Sequence, residues 1–295
     1  MENKIGKIEK LVLKGSSGRD IIADCTYPEE LSNVPLVIFC HGFKGFKDWG
    51  HFNLMADEFA KKGIAFLKFN FSHNGGTIED PIDFPDLNAF GENDFIKELE
   101  DMKVVTDTIF KSSVIIEGQT EFKELLSKVD NQNITMIGHS RGGGMATIFC
   151  ETEERIKNLV LLAAVSDFTL HQPPEEVMNY WEQQGVVYIE NGRTKQQMPM
   201  FFSFAEVFKE NIALLNIERA CSNVQQNTLV VQGLDDEVVL PTEAKSLVSW
   251  IEGAESIFVD NSNHSFGSTH PYTGSTLPGE TDKVVGGTIS FIKAH

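Results

Sequence analysis

Residues 138–142, Gly-His-Ser-Arg-Gly, constrain the fold of this chain more than any other feature. An apolar run at 134–137 precedes them, and small residues suited to the start of a helix follow at 142–146. A strand, a sharp turn and a helix in this order force the serine into a strained backbone conformation, beside which only glycines fit. The pattern predicts that Ser140 is a nucleophile exposed at the end of a strand, with a purely structural turn as the alternative.

Patterns of strands and helices alternate along the 295 residues of the chain. Strands are predicted at 8–13, 21–27, 36–40, 64–69, 134–137, 159–164, 228–232 and 256–259. Helices are predicted at 51–62, from 94 to about 112, from 142 onwards, at 242–251 and at 280–294. The alternation predicts an α/β fold, a single domain over 1–295 with one mostly parallel, eight-stranded sheet covered by helices on both faces. Ligands of such sheets bind at the carboxyl ends of the strands.

The composition excludes several classes of function. The net charge of −18 repels nucleic acid and anionic membranes. No apolar run approaches the length of a membrane span, and no signal-peptide core follows the polar amino terminus. The four cysteines form no Cys-x-x-Cys pair and no zinc spacing. We therefore expect a cytoplasmic protein that acts on a small molecule without a cofactor or metal, and the sequence leaves a homodimer open.

A long stretch at 166–222 interrupts the alternation between two core strands. It contains two prolines, a helical pattern through Trp181, and two strand-like runs around Asn191-Gly192, a pair that favours a two-residue hairpin turn. A simple crossover needs far fewer residues, so this stretch is an insertion. Because it leaves from the carboxyl end of a strand, we expect a small lid over the site, with a merely structural elaboration as the alternative.

A catalytic serine needs a base to take its proton and a carboxylate to orient that base. His264 follows the last predicted strand, and Asp235 and Asp236 follow the strand before it. The order serine, acid, histidine suits this arrangement of strands. Asp235 and Asp236 are adjacent and have the same side chain, so their chemistry does not show which one is the acid, and both remain candidates. Among the other histidines, His73 lies on a loop that we expect to line the pocket.

Acyl transfer also needs two hydrogen-bond donors aimed at the negative charge that develops on oxygen. The Arg141 amide, at the start of the helix after the serine, is expected to supply one. The loop after the third strand is expected to supply the other through the Phe43 amide, which follows the flexible Gly42. We expect His41 and His139 to hold these loops in place.

Four motifs together resemble the α/β-hydrolase superfamily over nearly the whole chain. They are residues 41–43, 138–142, 233–239 and 263–266. Within the superfamily they are similar to the cinnamoyl and feruloyl esterases and to the related serine peptidase-like esterases. The resemblance implies an α/β-hydrolase fold with a small inserted lid, and it selects Asp236 as the acid because the family places this residue three positions after the glycine. Ser140 separates the chain from dienelactone hydrolases, which use cysteine, and from dehalogenases, which use aspartate.

The sequence thus predicts a metal-independent serine carboxylesterase that forms an acyl-enzyme. Ser140 attacks the ester, His264 moves the proton, and Asp236 orients His264. Trp181 and the phenylalanines of the insertion are expected to shape a pocket for a small or aromatic acyl group. Two alternatives remain open: a peptidase or amidase with the same three residues, and a catalytically silent binding protein that keeps the fold.

Overall fold

The computed structural model describes residues 3–30, 32–111 and 119–295. Its strands are β1 (Ile5–Lys14), β2 (Asp20–Pro28), β3 (Val34–Cys40), β4 (Ala65–Asn70), β5 (Val129–His139), β6 (Asn158–Leu162), β7 (Val186–Glu190), β8 (Gln197–Phe201), β9 (Asn227–Gly233) and β10 (Glu255–Val259). Within the described ranges, eight strands form one sheet in the order β1-β2-β4-β3-β5-β6-β9-β10, while β7 and β8 pair separately. β2 is antiparallel to β1 and β4, and the remaining pairs of the large sheet are parallel. The predicted mostly parallel, eight-stranded sheet is confirmed.

Helices cover both faces of this sheet. They are α1 (Phe52–Lys61), α2 (Leu87–Glu92), α3 (Phe95–Phe110), α4 (Thr120–Leu126), α5 (Arg141–Cys150), α6 (Glu175–Gln184), α7 (Ser203–Glu210), α8 (Ile217–Cys221), α9 (Pro241–Trp250) and α10 (Gly279–Ala294). Val37 and Phe39 of β3 pack with α1 and α10, whereas Ile38 packs on the opposite side with α3, α5 and α9. Burial on both faces explains why the parallel strands are continuous apolar runs. None of the helices in the described ranges is long and apolar enough to cross a membrane.

Most predicted helices lie where the sequence placed them. Gly63, with φ 88°, follows α1, and the Asp94 carboxylate accepts a hydrogen bond of 2.9 Å from the Lys97 amide at the start of α3. The predicted end of that helix at Ser112 lies outside the described residues. Helices α2 and α4 were not predicted because they contain 6 and 7 residues, too few to establish a helical period.

The chain between β6 and β9 carries α6, the β7–β8 hairpin, α7 and α8. The predicted two-residue turn at Asn191-Gly192 is wrong, because Glu190 pairs with Gln197 and residues 191–196 form the loop. The Asn191 side chain accepts a hydrogen bond of 3.0 Å from the Arg193 amide, and Lys195 adopts φ 59°. The reversal is therefore completed beyond Gly192, by an asparagine-capped turn and a left-handed lysine.

A buried ion cluster fixes the chain that follows β3. Lys47 and Lys68 both contact Asp24 of β2, with Lys68 Nζ 3.0 Å from Asp24 Oδ2. Both lysines also lie 2.5 Å from Asp48. Burial by itself would raise the pKa of Asp24, but the charges of Lys68 and Lys47 outweigh it and lower that pKa overall. Because two lysines balance two aspartates, the cluster is stable only while every member is charged.

Replacing Asp24 with asparagine is expected to lower the free energy of unfolding at pH 7 by about 3 kcal/mol, because it leaves two buried lysines facing one aspartate. Since the pKa of Asp24 is lower in the folded protein, its stabilising effect is present above the unfolded value of about 4 and is lost as pH falls through the folded value. Urea unfolding at pH 7 and at pH 2.5 tests this, with Asp20→Asn, which affects the more exposed Lys14 pair, as the control. An Asp24→Asn effect no larger than the Asp20→Asn effect would contradict it.

Candidate active site

Ser140 lies at the turn between β5 and α5 with φ 56° and ψ −125°. This conformation costs a residue with a side chain about 1–3 kcal/mol and persists only where the surroundings impose it. A Cβ atom on Gly138 would lie 2.4 Å from the Gly142 carbonyl oxygen, and one on Gly142 would lie 2.5 Å from the His41 carbonyl oxygen. The strand, the helix and the loop after β3 therefore meet closely because these positions lack side chains. The strand, turn and helix predicted around Ser140 are present.

Two hydrogen bonds join Ser140, His264 and Asp236. Ser140 Oγ lies 3.0 Å from His264 Nε2, and His264 Nδ1 lies 2.8 Å from Asp236 Oδ2. Because the carboxylate accepts, His264 Nδ1 carries the proton and donates it, which leaves Nε2 to accept from the serine hydroxyl. The ring is thus held in the tautomer that a general base requires.

Asp236 is buried and its carboxylate is saturated with donors. It accepts hydrogen bonds of 2.8 Å from the Val238 amide, 2.9 Å from the Val239 amide and 2.9 Å from Gln232 Nε2. Burial alone would raise the pKa of Asp236, but the hydrogen bonds from His264 and the two amides lower it overall. Asp236 is therefore a permanent negative charge at neutral pH.

Asp235 has a different environment from its neighbour. Its side chain is exposed and lines the cleft in front of Ser140. Its backbone amide donates a hydrogen bond of 2.9 Å to the Ser262 carbonyl oxygen, which joins the loop after β9 to the loop that carries His264. Of the two aspartates left open by chemistry, Asp236 is the one that contacts His264, in agreement with the family resemblance.

His139 supports the loop that carries His264. Its Nε2 donates a hydrogen bond of 3.0 Å to the His264 carbonyl oxygen, and the two rings lie 4.9 Å apart. Burial lowers the pKa of His139 to about 3, so its ring is neutral at pH 7. A neutral ring beside His264 fixes the loop without adding a positive charge that would oppose protonation of His264.

The loop after β3 packs directly against Ser140. A Cβ atom on Gly42 would lie 2.9 Å from Ser140 Cβ and 3.3 Å from Ser140 Oγ. The amides of Phe43 and Arg141 follow these two residues in the chain, and in the part of the chain that the structure describes neither donates a hydrogen bond to the protein. Two unpaired amides next to a serine hydroxyl suit an oxygen that becomes negatively charged.

The Arg141 side chain connects three parts of the site. Its guanidinium forms an ion pair with the buried Glu98 of α3. The same group lies 4.8 Å from the ring centre of Phe43, 5.3 Å from that of Phe95 and 5.6 Å from that of Phe204. These contacts tie the loop after β3, helix α3 and the insertion to the serine turn. No local pattern predicts them, because the partners are far apart in the sequence.

Ser140 opens onto two cavities. The larger, which we call the cleft, has a volume of about 600 Å³ and is lined by His264, Trp49 and Val238 among others. The smaller, which we call the inner pocket, has a volume of about 200 Å³. Most of its lining is apolar and consists of Phe43, Phe95, Val165, Phe168, Met200, Phe204, Val238 and Val239. The polar part of the lining consists of Ser140, Arg141, His171 and Gln172.

Two residues predicted to bind the substrate lie elsewhere. Trp181 is 3% exposed, its indole N–H donates a hydrogen bond of 2.8 Å to the Met200 carbonyl oxygen, and its ring stacks on Phe204. His73 is 1% exposed and its Nδ1 lies 2.8 Å from Ser72 Oγ, and burial lowers its pKa to about 4. Neither side chain lines the cleft or the inner pocket. In the structure both side chains fill the interior instead, whereas Phe204 lines the inner pocket.

The cysteines have no place in this site. All four are buried and free, and burial raises the pKa of their thiols. Across residues 3–30, 32–111 and 119–295, no group of three or more His, Cys, Asp or Glu side chains is arranged to hold a metal ion.

Comparisons with known proteins give the same fold. A sequence profile of the alpha/beta hydrolase fold matches residues 35–194, and no curated protein sequence matches the chain significantly. The solved structure of Est1E from Butyrivibrio proteoclasticus with ferulic acid bound is similar, with a TM-score of 0.66 and 16% identity over 95% of this chain and 97% of that one. The esterase domain of a Rhodothermus marinus protein gives a TM-score of 0.54 and 14% identity over 88% and 90% of the two chains. A puromycin-hydrolysing peptidase of Mycobacterium tuberculosis gives a TM-score of 0.61 and 15% identity over 99% of this chain and 39% of that one.

Proposed function

The chain belongs to the α/β-hydrolase fold family, and on this premise we propose that it is a serine hydrolase that cleaves carboxylic esters. The observation that carries the proposal is the chain of hydrogen bonds from Ser140 through His264 to Asp236, 3.0 and 2.8 Å long. It ends in a hydroxyl that faces a cleft. A serine, a histidine and a buried carboxylate in this order activate the serine as a nucleophile on several unrelated folds.

The proposed reaction proceeds through an acyl-enzyme. Ser140 Oγ attacks the ester carbonyl carbon while His264 Nε2 takes the hydroxyl proton, and Asp236 stabilises the imidazolium that forms. The carbonyl oxygen becomes negative and accepts hydrogen bonds from the Phe43 and Arg141 amides. His264 gives its proton to the departing alcohol. A water molecule then attacks the acyl group with His264 as its base, which releases the acid and restores Ser140.

The position of His264 supports an assignment of the two cavities to the two parts of the ester. The departing alcohol must take its proton from His264, and the cleft is the cavity lined by that residue. We therefore place the alcohol in the cleft and the acyl group in the inner pocket. A dry cavity of about 150 Å³ accommodates benzene, so about 200 Å³ of largely apolar space suits a small or aromatic acyl group.

The insertion at 166–222 is proposed to act as the lid of one catalytic unit that spans 1–295. The support for this is that Phe168, Met200 and Phe204 of the insertion line the inner pocket. A cytoplasmic location remains part of the proposal and is consistent with four buried, unpaired thiols. A small-molecule ester remains the proposed partner, and a homodimer remains open.

Two other functions compete with ester hydrolysis. A peptidase or amidase would use the same hydrogen-bonded residues, so the nature of the leaving group alone separates it from an esterase. A silent binding protein would have no need for a saturated Asp236 or for two unpaired amides beside Ser140. These features favour catalysis over binding alone.

Matched ester and amide substrates test the proposal. We expect the p-nitrophenyl ester of butyrate to be hydrolysed with a burst of p-nitrophenol, and the p-nitroanilide of the same acid to react far more slowly. A faster anilide reaction would indicate an amidase, and no reaction with either compound by the folded protein would indicate a silent binding protein. A series of acyl groups from acetyl to feruloyl would then map the inner pocket.

A further inference from the structure

A third cavity adjoins the cleft, and we call it the outer pocket. It has a volume of about 380 Å³ and shares Phe43, Lys44 and Trp49 with the cleft. The tip of the β7–β8 hairpin, residues 191–193, forms part of its wall. The two cavities are therefore neighbours, and a group that begins beside His264 can extend along the cleft towards the outer pocket.

The outer pocket presents positive charge and no carboxylate in its lining. Lys44 is exposed and, among the residues that the structure describes, has no ion-pair partner. Arg193 contacts the exposed Asp83 through one of its nitrogens, which leaves further N–H groups of the guanidinium to donate. On a chain with a net charge of −18, a cavity lined by a lysine that is unpaired and an arginine that has only one carboxylate partner within the described ranges is suited to a negatively charged group.

His270 adds a neutral donor and an aromatic wall. The Gly50 amide donates a hydrogen bond of 2.9 Å to His270 Nδ1, so in the neutral ring the proton is on Nε2. Burial lowers the pKa of His270, which keeps the ring neutral at pH 7. Its ring lies 4.9 Å from that of Phe46 and 6.2 Å from that of Trp49. These rings form an aromatic wall on which a flat apolar group can pack, with donors at its end.

From these contacts we propose that the enzyme prefers esters whose alcohol part carries a carboxylate, and that Lys44 and Arg193 bind this carboxylate in the outer pocket. The inference rests on the proposed function, because it places the alcohol on the side of His264. Asp235 and Glu237 line the cleft but not the outer pocket, so their repulsion directs the carboxylate towards Lys44.

A matched pair of substrates tests this preference. They are 3-(4-acetoxyphenyl)propanoate and the corresponding propanamide, which have the same acyl group and nearly the same phenol reactivity. We expect kcat/KM for the acid to exceed that for the amide by about tenfold at low salt. The reason is that the carboxylate contacts two partly exposed cations, Lys44 and Arg193, and each contact raises kcat/KM by about threefold. High salt should reduce this ratio.

Charge-removing variants show which residues cause the preference. Lys44→Gln and Arg193→Gln should each lower the acid-to-amide ratio by about threefold, and the double variant should bring it to about one. Lys195→Gln is the matched control, because Lys195 lies on the same hairpin, pairs with Glu190 and does not line the outer pocket. An equal fall in the control would overturn the proposal, since it would show a general effect of charge.

Binding measured without turnover separates this inference from the proposed function. Calorimetry with 3-(4-hydroxyphenyl)propanoate and its amide should show tighter binding of the acid to wild type and equal binding to the double variant. If both esters are hydrolysed but the ratio is about one in wild type, the outer-pocket inference is wrong and the proposed function stands. If neither ester is hydrolysed but the acid binds through Lys44 and Arg193, the proposed function is wrong and the carboxylate site stands.

Discussion

Replacing Ser140 with alanine is expected to lower kcat for ester hydrolysis by about 10⁶-fold, the scale seen when a serine hydrolase loses its nucleophile. Without Oγ no acyl-enzyme forms, and only binding and the amides of Phe43 and Arg141 remain to assist water. The fold should not change, because the alanine methyl group occupies the position of the serine Cβ and adds no strain at φ 56°. Thermal unfolding of the variant should therefore match that of wild type.

Covalent labelling checks the same prediction without a substrate. A fluorophosphonate should add to wild type at Ser140, detected by mass spectrometry of the peptide, and should not add to Ser140→Ala. Ser203→Ala, an exposed serine at the start of α7, is the control and should label like wild type. Full labelling or undiminished hydrolysis in Ser140→Ala would show that another residue is the nucleophile.

Replacing Asp236 with asparagine is expected to lower kcat by about 10⁴-fold, whereas Asp235→Asn should change it by less than about threefold. The reason lies in the donors around the carboxylate. Oδ1 accepts from the Val238 and Val239 amides, so an asparagine must keep its oxygen there and turn its NH₂ group towards His264. His264 Nδ1 must then accept, which moves the ring proton to Nε2 and removes the acceptor that Ser140 needs.

The adjacent aspartate makes this experiment unusually well controlled. Asp235→Asn is the same chemical change one residue away, on an exposed side chain that lines the cleft. Steady-state kinetics with a short ester should separate the two variants, and urea unfolding should show that Asp236→Asn remains folded despite a cost of about 1–3 kcal/mol for the disturbed hydrogen bonds. Equal losses in both variants, or a larger loss in Asp235→Asn, would exclude Asp236 as the residue that orients His264.

Much of the fold was predictable because its causes are local. The continuous apolar runs of β3, β4, β6 and β9 reflect burial on both faces of a sheet, and the alternation with helices predicts parallel pairing. Short elements such as α2 and α4 were missed because so few residues establish no period. The prediction of a two-residue hairpin turn was wrong because Asn191 caps a longer loop, which closes only at Gln196.

The side chains of the insertion were harder to predict than its presence. Trp181 and Phe204 have the same apolar character in sequence, yet Trp181 packs inside the insertion and Phe204 faces the inner pocket. Nothing in the local sequence indicated that His73 is buried. Which face of an element points to a cavity depends on what packs on the other face, and that information is not local.

By itself, the sequence of this protein determined the serine turn, the strand and helix on either side of it, and the order of Ser140, the acid candidates and His264 along the chain. The turn follows from contacts within a few residues, such as the close approach of Gly138 and Gly142 where no side chain fits. The tertiary structure alone showed that Asp236 contacts His264, that Arg141 is held by Glu98, and that Lys44 and Arg193 share a pocket. Each of these depends on segments that are distant in the chain, and only packing of the sheet, the loops and the insertion brings them together.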